Sequence, residues 1–275
     1  MNIRHLGVPL ALSLLLSVDC VSANGALQGP NRISSTILGY DLQYWVYMPE
    51  DAARPLPELY VTDGQAYLGA GRVVEVLDRE YEAGRILPFA VVFVDSRDPD
   101  APDVSRRNRE FMCNVDYAKF YAGELMPAIS SRWTGAGPTT PRGIMGVSFG
   151  GINSACFGML LPGVFQLLIM HSPASDEHLR VIEDLYRDRP RNPSALFVSH
   201  GGPDDNEQAA RRFIQTLKDK GYAVQDVATG GGHGWKDWRP LIDDSLRAFS
   251  ARIDRQTDAA PAPATRTEGA GNDGA

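Results

Sequence analysis

A short glycine-rich stretch carries the pattern of an activated serine. Residues 146–150 read G-x-S-x-G and place Ser148 at the centre. The run 143–147 predicts a buried strand that leads into Ser148, and a helix is predicted from residue 149 to about 160. A sharp strand-to-helix turn of this kind exposes a serine hydroxyl above a sheet. The stretch therefore predicts a nucleophile for acyl transfer, the alternative being a glycine-rich turn with an incidental serine.

The base and the acid that such a serine needs are predicted in two loops further along the chain. In folds that hold a serine at such a strand-to-helix turn, the chain order is nucleophile, acid, histidine. His233, in a run of glycines, is the only one of the five histidines near the C-terminal end. The acid is expected after the strand predicted over 195–199, where we prefer Asp204 and keep Asp205 as the alternative. Asp204 and Glu207 also have capping-box spacing, which would make Asp204 a helix cap instead.

Two backbone N–H groups are predicted to stabilise the negative charge that acyl transfer builds on the carbonyl oxygen. One belongs to Phe149, the residue after the nucleophile. The other is expected in the loop after the third strand, which residues 63–65 occupy, and is the N–H of Gln65. The alternative for this loop is an ordinary turn.

Three arginines lie in the polar loop that follows the strand predicted over 89–94: Arg106, Arg107 and Arg109. Loops at the carboxyl ends of parallel strands surround the active site in open α/β folds. Three guanidinium groups there could bind an anionic substrate by charge and by planar hydrogen-bonding forks. The alternative is a solvated loop in which Arg107 and Glu110 pair with each other.

Strands that alternate with helices along most of the chain must position these residues, and they predict an α/β fold. Such an order is typical of a mostly parallel sheet with helices on both faces. A chain of 275 residues, 43% hydrophobic and 22% charged, is long enough to form one such domain with a sizeable core. The net charge of -7, with no long basic run, argues against nucleic acid as a partner.

The two ends of the chain differ in composition from the predicted domain at 24–254. Residues 1–23 combine a basic start, an apolar run and small residues before Asn24, which predicts a signal peptide and a periplasmic or secreted protein. An uncleaved anchor is the alternative, but the apolar run is short for a membrane span. Residues 255–275 are rich in Ala, Pro, Gly and Thr and are predicted to be disordered. The sequence leaves the oligomeric state open.

Signal cleavage would leave two cysteines, Cys113 and Cys156. Two cysteines in an oxidising compartment could pair, and they could equally be small buried hydrophobic residues. We favour the unpaired state. Neither cysteine has the spacing of a metal site, and we expect no metal and no organic cofactor.

Several runs of the sequence are similar to one family of esterases. Residues 107–117 and 124–127, RNREFMCNVDY and ELMP, resemble the R-x-x-E-L-x-C-N-x-D-F…E-L-L-P run of enterochelin esterases. S-F-G-G at 148–151 and the G-H…W-R that contains His233 and Trp238 resemble the same enzymes. Residues 197–204 resemble the F-x-x-x-G-x-x-D of feruloyl esterases, in which the last position is the acid. Over about 59–249 the chain thus resembles the putative-esterase family of α/β hydrolases, which also includes esterase D and the mycolyltransferases.

The resemblance implies an α/β-hydrolase fold and a serine esterase that forms an acyl-enzyme on Ser148 without a cofactor. It implies Asp204 as the acid and Trp238 as a further substrate-binding residue. The substrate it implies is a small-molecule ester, of which a catecholate siderophore trilactone is one candidate. The alternatives are a feruloyl or carbohydrate esterase, an acyltransferase of the same family, and a non-catalytic binding protein on the same scaffold.

Overall fold

An eight-stranded sheet forms the centre of the molecule. The computed structural model describes residues 25–50 and 52–259. The predicted signal peptide lies outside these residues. In chain order the strands are β1 (Gly25–Ser35), β2 (Tyr40–Pro49), β3 (Glu58–Thr62), β4 (Ala90–Val94), β5 (Arg142–Val147), β6 (Leu167–His171), β7 (Ala195–His200) and β8 (Val224–Ala228).

The sheet is parallel over most of its width, as the alternation of strands and helices predicts. Its strand order is β1-β2-β4-β3-β5-β6-β7-β8. β1 pairs with β2, and β2 with β4, in antiparallel fashion, whereas β4, β3, β5, β6, β7 and β8 pair in parallel. The carboxyl ends of the parallel strands therefore meet at one edge of the sheet, where open α/β folds hold their ligands.

Within the described part of the chain, ten α-helical segments connect and cover the strands. They are α1 (Gly64–Leu68), α2 (Val73–Glu82), α3 (Arg107–Glu110), α4 (Val115–Phe120), α5 (Met126–Ile129), α6 (Phe149–Leu160), α7 (Asp176–Asp188), α8 (Glu207–Asp219), α9 (Trp235–Trp238) and α10 (Ile242–Ala259). π-helical turns, Tyr121–Leu125 and Ser130–Thr134, follow α4 and α5, and 3₁₀ turns occur at Pro203–Asp205 and Arg239–Leu241.

The core consists of two apolar layers, one on each face of the sheet. Successive side chains of β4 alternate between them, with Val92 and Val94 in one layer and Val91 and Phe93 in the other. Helices α4, α6, α7 and α8 pack on the first layer, and α2 and α10 pack on the second. Because β3, β4, β5 and β6 are buried along their whole length, they read as continuous apolar runs with few interruptions.

Some element boundaries differ from the expectations. The sequence predicts a first strand from Ile33 and a turn at residues 39–41, whereas β1 begins at Gly25 and ends at Ser35 and β2 already begins at Tyr40. The tail predicted to be disordered from residue 255 is helical as far as Ala259, where α10 ends. Residues 260–275 lie outside the described part. Within the described residues, no helix combines the length and apolar character that a membrane crossing requires.

Candidate active site

Ser148 occupies the sharp turn between β5 and α6. Its backbone has a φ of 57° and a ψ of -120°, an uncommon conformation for a residue with a side chain. The turn is tight enough that a Cβ on Gly146 would lie 2.2 Å from the carbonyl oxygen of Gly150. The Ser148 N–H donates to the carbonyl of His171 at the end of β6, at 2.8 Å. The structure therefore holds Ser148 in the strained strand-to-helix turn that the sequence predicts.

His233 lies beside the serine, in the glycine-rich loop that follows β8. Its Nε2 is 2.8 Å from Ser148 Oγ, and its Nδ1 is hydrogen-bonded to Oδ1 of Asp205. An ionised carboxylate can only accept, so Nδ1 carries the proton and Nε2 is left to accept the serine proton. Trp238 packs edge-to-face against the imidazole, with ring centres 4.8 Å apart.

The acid that contacts His233 is Asp205, and the preference for Asp204 is wrong. Asp205 is 2% exposed, and its Oδ2 accepts hydrogen bonds from Ser172 Oγ and from the N–H of Gly201, both at 2.6 Å. Asp204 points to solvent. The two aspartates are neighbours in a 3₁₀ turn, in which successive side chains are about 120° apart, so only one can face His233.

Asp204 does not cap the following helix either. The N-cap position of α8 is Asn206, and no side chain makes a capping hydrogen bond there. The capping-box alternative for Asp204 is therefore also wrong. Because the two aspartates are neighbours in a tight turn, sequence spacing cannot decide which of them faces His233.

The two backbone donors predicted for an oxyanion lie at helix starts. Phe149 is the first residue of α6 and Gln65 is the second residue of α1. N–H groups in the first turn of a helix have no acceptor within that helix, so both are available to a substrate oxygen. Gln65 lines the same cavity as Ser148 and His233.

This cavity has a volume of about 230 Å³, and Ser148 is one of the residues that line it. Its lining residues are Asp63, Gln65, Ala66, Arg107, Val147, Ser148, His233, Trp235 and Trp238. The predicted substrate-binding residue Trp238 is thus at the site, and Trp235, which the sequence reasoning missed, lies next to it. Trp235 packs edge-to-face on Tyr67 and Trp238, at 5.1 Å and 5.5 Å between ring centres. The pair of tryptophans in α9, three residues apart, was the available signal.

Of the three arginines predicted to face a substrate, Arg107 is the one that reaches the cavity. Its Nη2 is 3.0 Å from Oδ2 of Asp63. Arg106 is bonded to Asp98 and to the carbonyl of Asp41, and its side chain is 13% exposed.

Arg106 and Arg109 both pack over the ring of Tyr40, with 4.2 Å and 4.9 Å from Cζ to the ring centre. Neither of them lines the cavity, whereas Arg107 does. The prediction that all three guanidinium groups face the substrate is therefore wrong for Arg106 and Arg109 and agrees with the placement of Arg107.

The proposed pairing of Arg107 with Glu110 is also absent. Glu110 is fully buried and accepts a hydrogen bond of 2.9 Å from the hydroxyl of Tyr40. Burial raises the pKa of Glu110 to about 8, against an ordinary value of 4.5, and the nearby Asp63 carboxylate adds to the rise while Tyr40, Arg106 and Arg109 oppose it. Glu110 is therefore largely protonated at neutral pH.

Cys113 and Cys156 form a disulfide, so the preference for unpaired cysteines is wrong. The bond connects the segment after α3 to the middle of α6, the helix that begins next to Ser148. The two residues are 43 positions apart in the chain, and the packing of α3 and α4 against α6 brings them together.

Comparisons with known proteins place the chain among esterases. It is 26% identical to the uncharacterized protein YjcH of Bacillus subtilis over 242 residues, 82% of this chain and 97% of that protein. It is 28% identical to the iron(III) enterobactin esterase of Yersinia enterocolitica over 143 residues, 50% of this chain and 38% of that enzyme.

Solved structures share the fold at lower sequence identity. A ferulic acid esterase aligns with a TM-score of 0.65 and 18% identity, over 84% of this chain and 99% of its own. The enterobactin esterase of Shigella flexneri, solved with 2,3-dihydroxy-N-benzoyl-serine, aligns with a TM-score of 0.69 and 17% identity, over 84% of this chain and 60% of its own. The family model described as "Putative esterase" matches residues 35–249. The chain therefore belongs to this esterase family and has the α/β-hydrolase fold.

Proposed function

We propose that the protein is a serine esterase that hydrolyses carboxylic esters through an acyl-enzyme. The observation that carries the proposal is the position of His233, which bridges Ser148 Oγ at 2.8 Å and the buried carboxylate of Asp205. This is the arrangement of a nucleophile, a general base and an orienting acid. Membership of the esterase family supports the same reaction class.

In the first half of the reaction, Ser148 Oγ attacks the ester carbonyl carbon while His233 Nε2 takes the hydroxyl proton. The carbonyl oxygen becomes an oxyanion that the N–H groups of Phe149 and Gln65 stabilise. Asp205 keeps His233 in the required tautomer and stabilises its charged form. The bond to the alcohol oxygen then breaks, and His233 returns the proton to the departing alcohol.

In the second half, water takes the place of the alcohol. His233 removes a proton from the water, whose oxygen attacks the acyl carbon bound to Ser148. The collapse of this second tetrahedral intermediate releases the carboxylic acid and returns the proton to Ser148. No step in this sequence requires a metal ion or an organic cofactor.

We propose as the substrate an ester whose acyl group carries an aromatic ring, with a catecholate siderophore ester as the first candidate and a feruloyl ester as the second. The Yersinia relative, an iron(III) enterobactin esterase, supports the first, and the ferulic acid esterase structure that this chain covers almost fully supports the second. Trp235 and Trp238 offer flat apolar surfaces in the cavity. Initial rates on catecholate trilactones, feruloylated sugars and short p-nitrophenyl esters, compared as kcat/KM, separate the two candidates.

The cysteine pair supports a protein that is exported. Disulfides form and persist in the periplasm and outside the cell and are rare in the cytosol. We therefore propose that residues 1–23 are removed and that the mature protein begins at Asn24 in the periplasm or medium. Mass spectrometry of the N-terminus of the protein from each cell fraction tests this, and an intact Met1 in the cytosol would contradict it.

Replacement of the nucleophile tests the reaction. Purified Ser148→Ala should lose nearly all hydrolysis of a p-nitrophenyl ester and should keep the circular dichroism spectrum and melting temperature of a folded protein. A fluorophosphonate probe should label the unaltered protein at Ser148 and fail to label the variant. Near-normal activity of Ser148→Ala would rule out the mechanism, and failure of the folded unaltered protein to react with the probe would favour the non-catalytic alternative.

A further inference from the structure

A buried carboxylate lies next to one of the two oxyanion donors. Asp63 immediately precedes α1, is 4% exposed and has a left-handed backbone with a φ of 55°. The donor residue Gln65 follows two positions later. The reaction described above needs no carboxylate at this position, so the role of Asp63 must lie in its contacts.

Two side chains hold this carboxylate. Ser96, at the end of β4, donates its hydroxyl hydrogen to Asp63 Oδ1 at 2.6 Å, and Arg107 approaches Oδ2 at 3.0 Å. Ser96 also binds the side chain of Gln65 twice: its N–H donates to Oε1 at 3.4 Å, and its Oγ accepts from Nε2 at 3.2 Å. A single serine thus connects Asp63 with the residue that carries the predicted donor.

The loop has little room to move. A Cβ on Gly64 would lie 2.6 Å from the carbonyl carbon of Phe93, so the loop backbone packs directly on β4. On its other side, Asp63 Oδ2 lies 3.3 Å from the place of a Cβ on Gly150, which follows the second donor residue, Phe149. The carboxylate of Asp63 therefore lies between the two segments that supply N–H groups.

We infer that Asp63, Ser96 and Arg107 are positioning residues that hold the Gln65 N–H at the place of the reaction's oxyanion. The inference rests on the proposed function. Arg107 acts through Asp63: its charge is matched by a buried carboxylate, so it is a poor receptor for a second anion. This assigns Arg107 a different role from the anion binding suggested by the sequence.

The physical reason for such a network is the sensitivity of catalysis to donor placement. Removal of one oxyanion donor lowers kcat by about 10²–10³-fold, and a displacement of about 1 Å can cost about 10²-fold. Burial raises the pKa of Asp63, while Arg107 and the Ser96 hydroxyl oppose that rise and favour the charged carboxylate. Loss of either partner would weaken the interactions that keep the loop in its left-handed conformation.

The first test removes the Ser96 hydroxyl, with Ser199→Ala as the matched control. Ser199 is equally buried at the end of β7, and its hydroxyl makes no hydrogen bond to the described residues. Ser96→Ala should lower kcat about tenfold or more with an unchanged KM. It should raise the inhibition constant of a trifluoromethyl ketone, whose adduct oxygen occupies the oxyanion position, by the same factor. Ser199→Ala should leave all three values unchanged.

The second test separates positioning from anion binding at Arg107. Arg107→Gln and Asp63→Asn, which keep approximate size and shape, are assayed on a neutral ester and on an ester that carries a carboxylate. Positioning predicts a similar fall in kcat on both esters and a parallel rise in the inhibition constant. A rise in KM on the anionic ester alone would overturn the role assigned to Arg107.

The outcomes also separate this inference from the proposed function. If Ser96→Ala and Asp63→Asn keep a normal kcat and normal ketone inhibition while Ser148→Ala is inactive, the positioning role is wrong and the esterase mechanism stands. An equal fall in Ser199→Ala would show a general packing effect and would also overturn the role. Melting temperatures of all variants establish that each comparison is made on folded protein.

Discussion

Two buried aspartates flank Ser148 on opposite sides, and their surroundings are closely matched. Asp205 is 2% exposed and Asp63 is 4% exposed. Each accepts a hydrogen bond of 2.6 Å from a serine hydroxyl, from Ser172 in one case and from Ser96 in the other. Both belong to loops at the carboxyl ends of parallel strands, so the same sheet edge supplies both carboxylates to the site of Ser148.

The difference lies in the third partner. Asp205 is bonded to His233, an imidazole that can take up and release a proton, whereas Asp63 is paired with Arg107, a guanidinium that stays charged. A carboxylate beside the imidazole can assist proton transfer, while a carboxylate beside the guanidinium can only hold a loop in place. The comparison teaches that the group paired with the buried aspartate, an imidazole or a guanidinium, decides what the aspartate can do.

The largest expected effect on kcat comes from replacing Asp205, the aspartate that is bonded to His233. In Asp205→Asn, the amide can present N–H to His233 Nδ1, which favours the tautomer that cannot accept the serine proton. We expect kcat to fall by about 10⁴-fold, as for the corresponding change in a serine protease triad. The neighbouring variant Asp204→Asn, on the exposed side of the same turn, should stay within about twofold of normal. Steady-state kinetics on one p-nitrophenyl ester measures kcat for both variants. Equal losses of kcat would contradict the assignment of Asp205, rather than Asp204, as the acid.

The disulfide should have the next largest effect, on stability. It ties the segment that follows Arg107 to helix α6. Closing a loop of 43 residues is worth about 4 kcal/mol in the chain-entropy description. A variant with Cys113→Ser and Cys156→Ser should therefore unfold at a clearly lower urea concentration, measured by circular dichroism. Reduction of the normal protein should give the same shift, and an unchanged midpoint in both would contradict the pairing.

A third prediction concerns Glu110 and the dependence of the free energy of unfolding on pH. The folded protein keeps Glu110 protonated up to about pH 8, whereas the unfolded chain releases that proton near 4.5. The folded state binds the extra proton within this window, so the free energy of unfolding should fall as pH rises through it. One pKa unit corresponds to about 1.4 kcal/mol, so the decline should reach a few kcal/mol. Glu110→Gln should remove this part of the decline in urea titrations at pH 5, 6.5 and 8.

A control for Glu110 is available in the same region. The pKa of Glu124 is lowered by hydrogen bonds from Ser35 and Thr36, so its protonation affects stability only at more acidic pH. Glu124→Gln should therefore keep the decline between pH 5 and 8. Curves for Glu110→Gln and the normal protein that run parallel would contradict a buried protonated carboxyl.

The smallest effect on kcat is expected from replacing Ser172, the serine that donates to Asp205. Ser172→Ala removes one of three hydrogen bonds to Asp205 and leaves those from Gly201 and His233, so we expect kcat to fall by about tenfold, or roughly 1.4 kcal/mol. Combined with Ser96→Ala, the loss should be the product of the two single losses if the two sides act independently. A combined loss well below that product would show that the two sides are coupled.

Much of the fold followed from local patterns. The buried runs of β4 and β6 and the helix after Ser148 were predictable because apolar periodicity and strand-to-helix order are properties of neighbouring residues. The start of β1 was missed, since its exposed face leaves little apolar signal. The end of α10 was missed because composition suggested a disordered tail, whereas the helix continues to Ala259.

By itself the sequence predicted Ser148 and His233 as nucleophile and base and determined the family, because each rests on a local pattern: G-x-S-x-G around Ser148, and a lone late histidine, His233, in a glycine run. Only the tertiary structure decided between Asp204 and Asp205, since that choice depends on which face of a tight turn meets a loop 28 residues away. It also decided the cysteine pairing and the isolation of Arg107 from the other arginines. Those outcomes depend on distances in space between residues that are far apart in the sequence. Sequence spacing does not determine such distances.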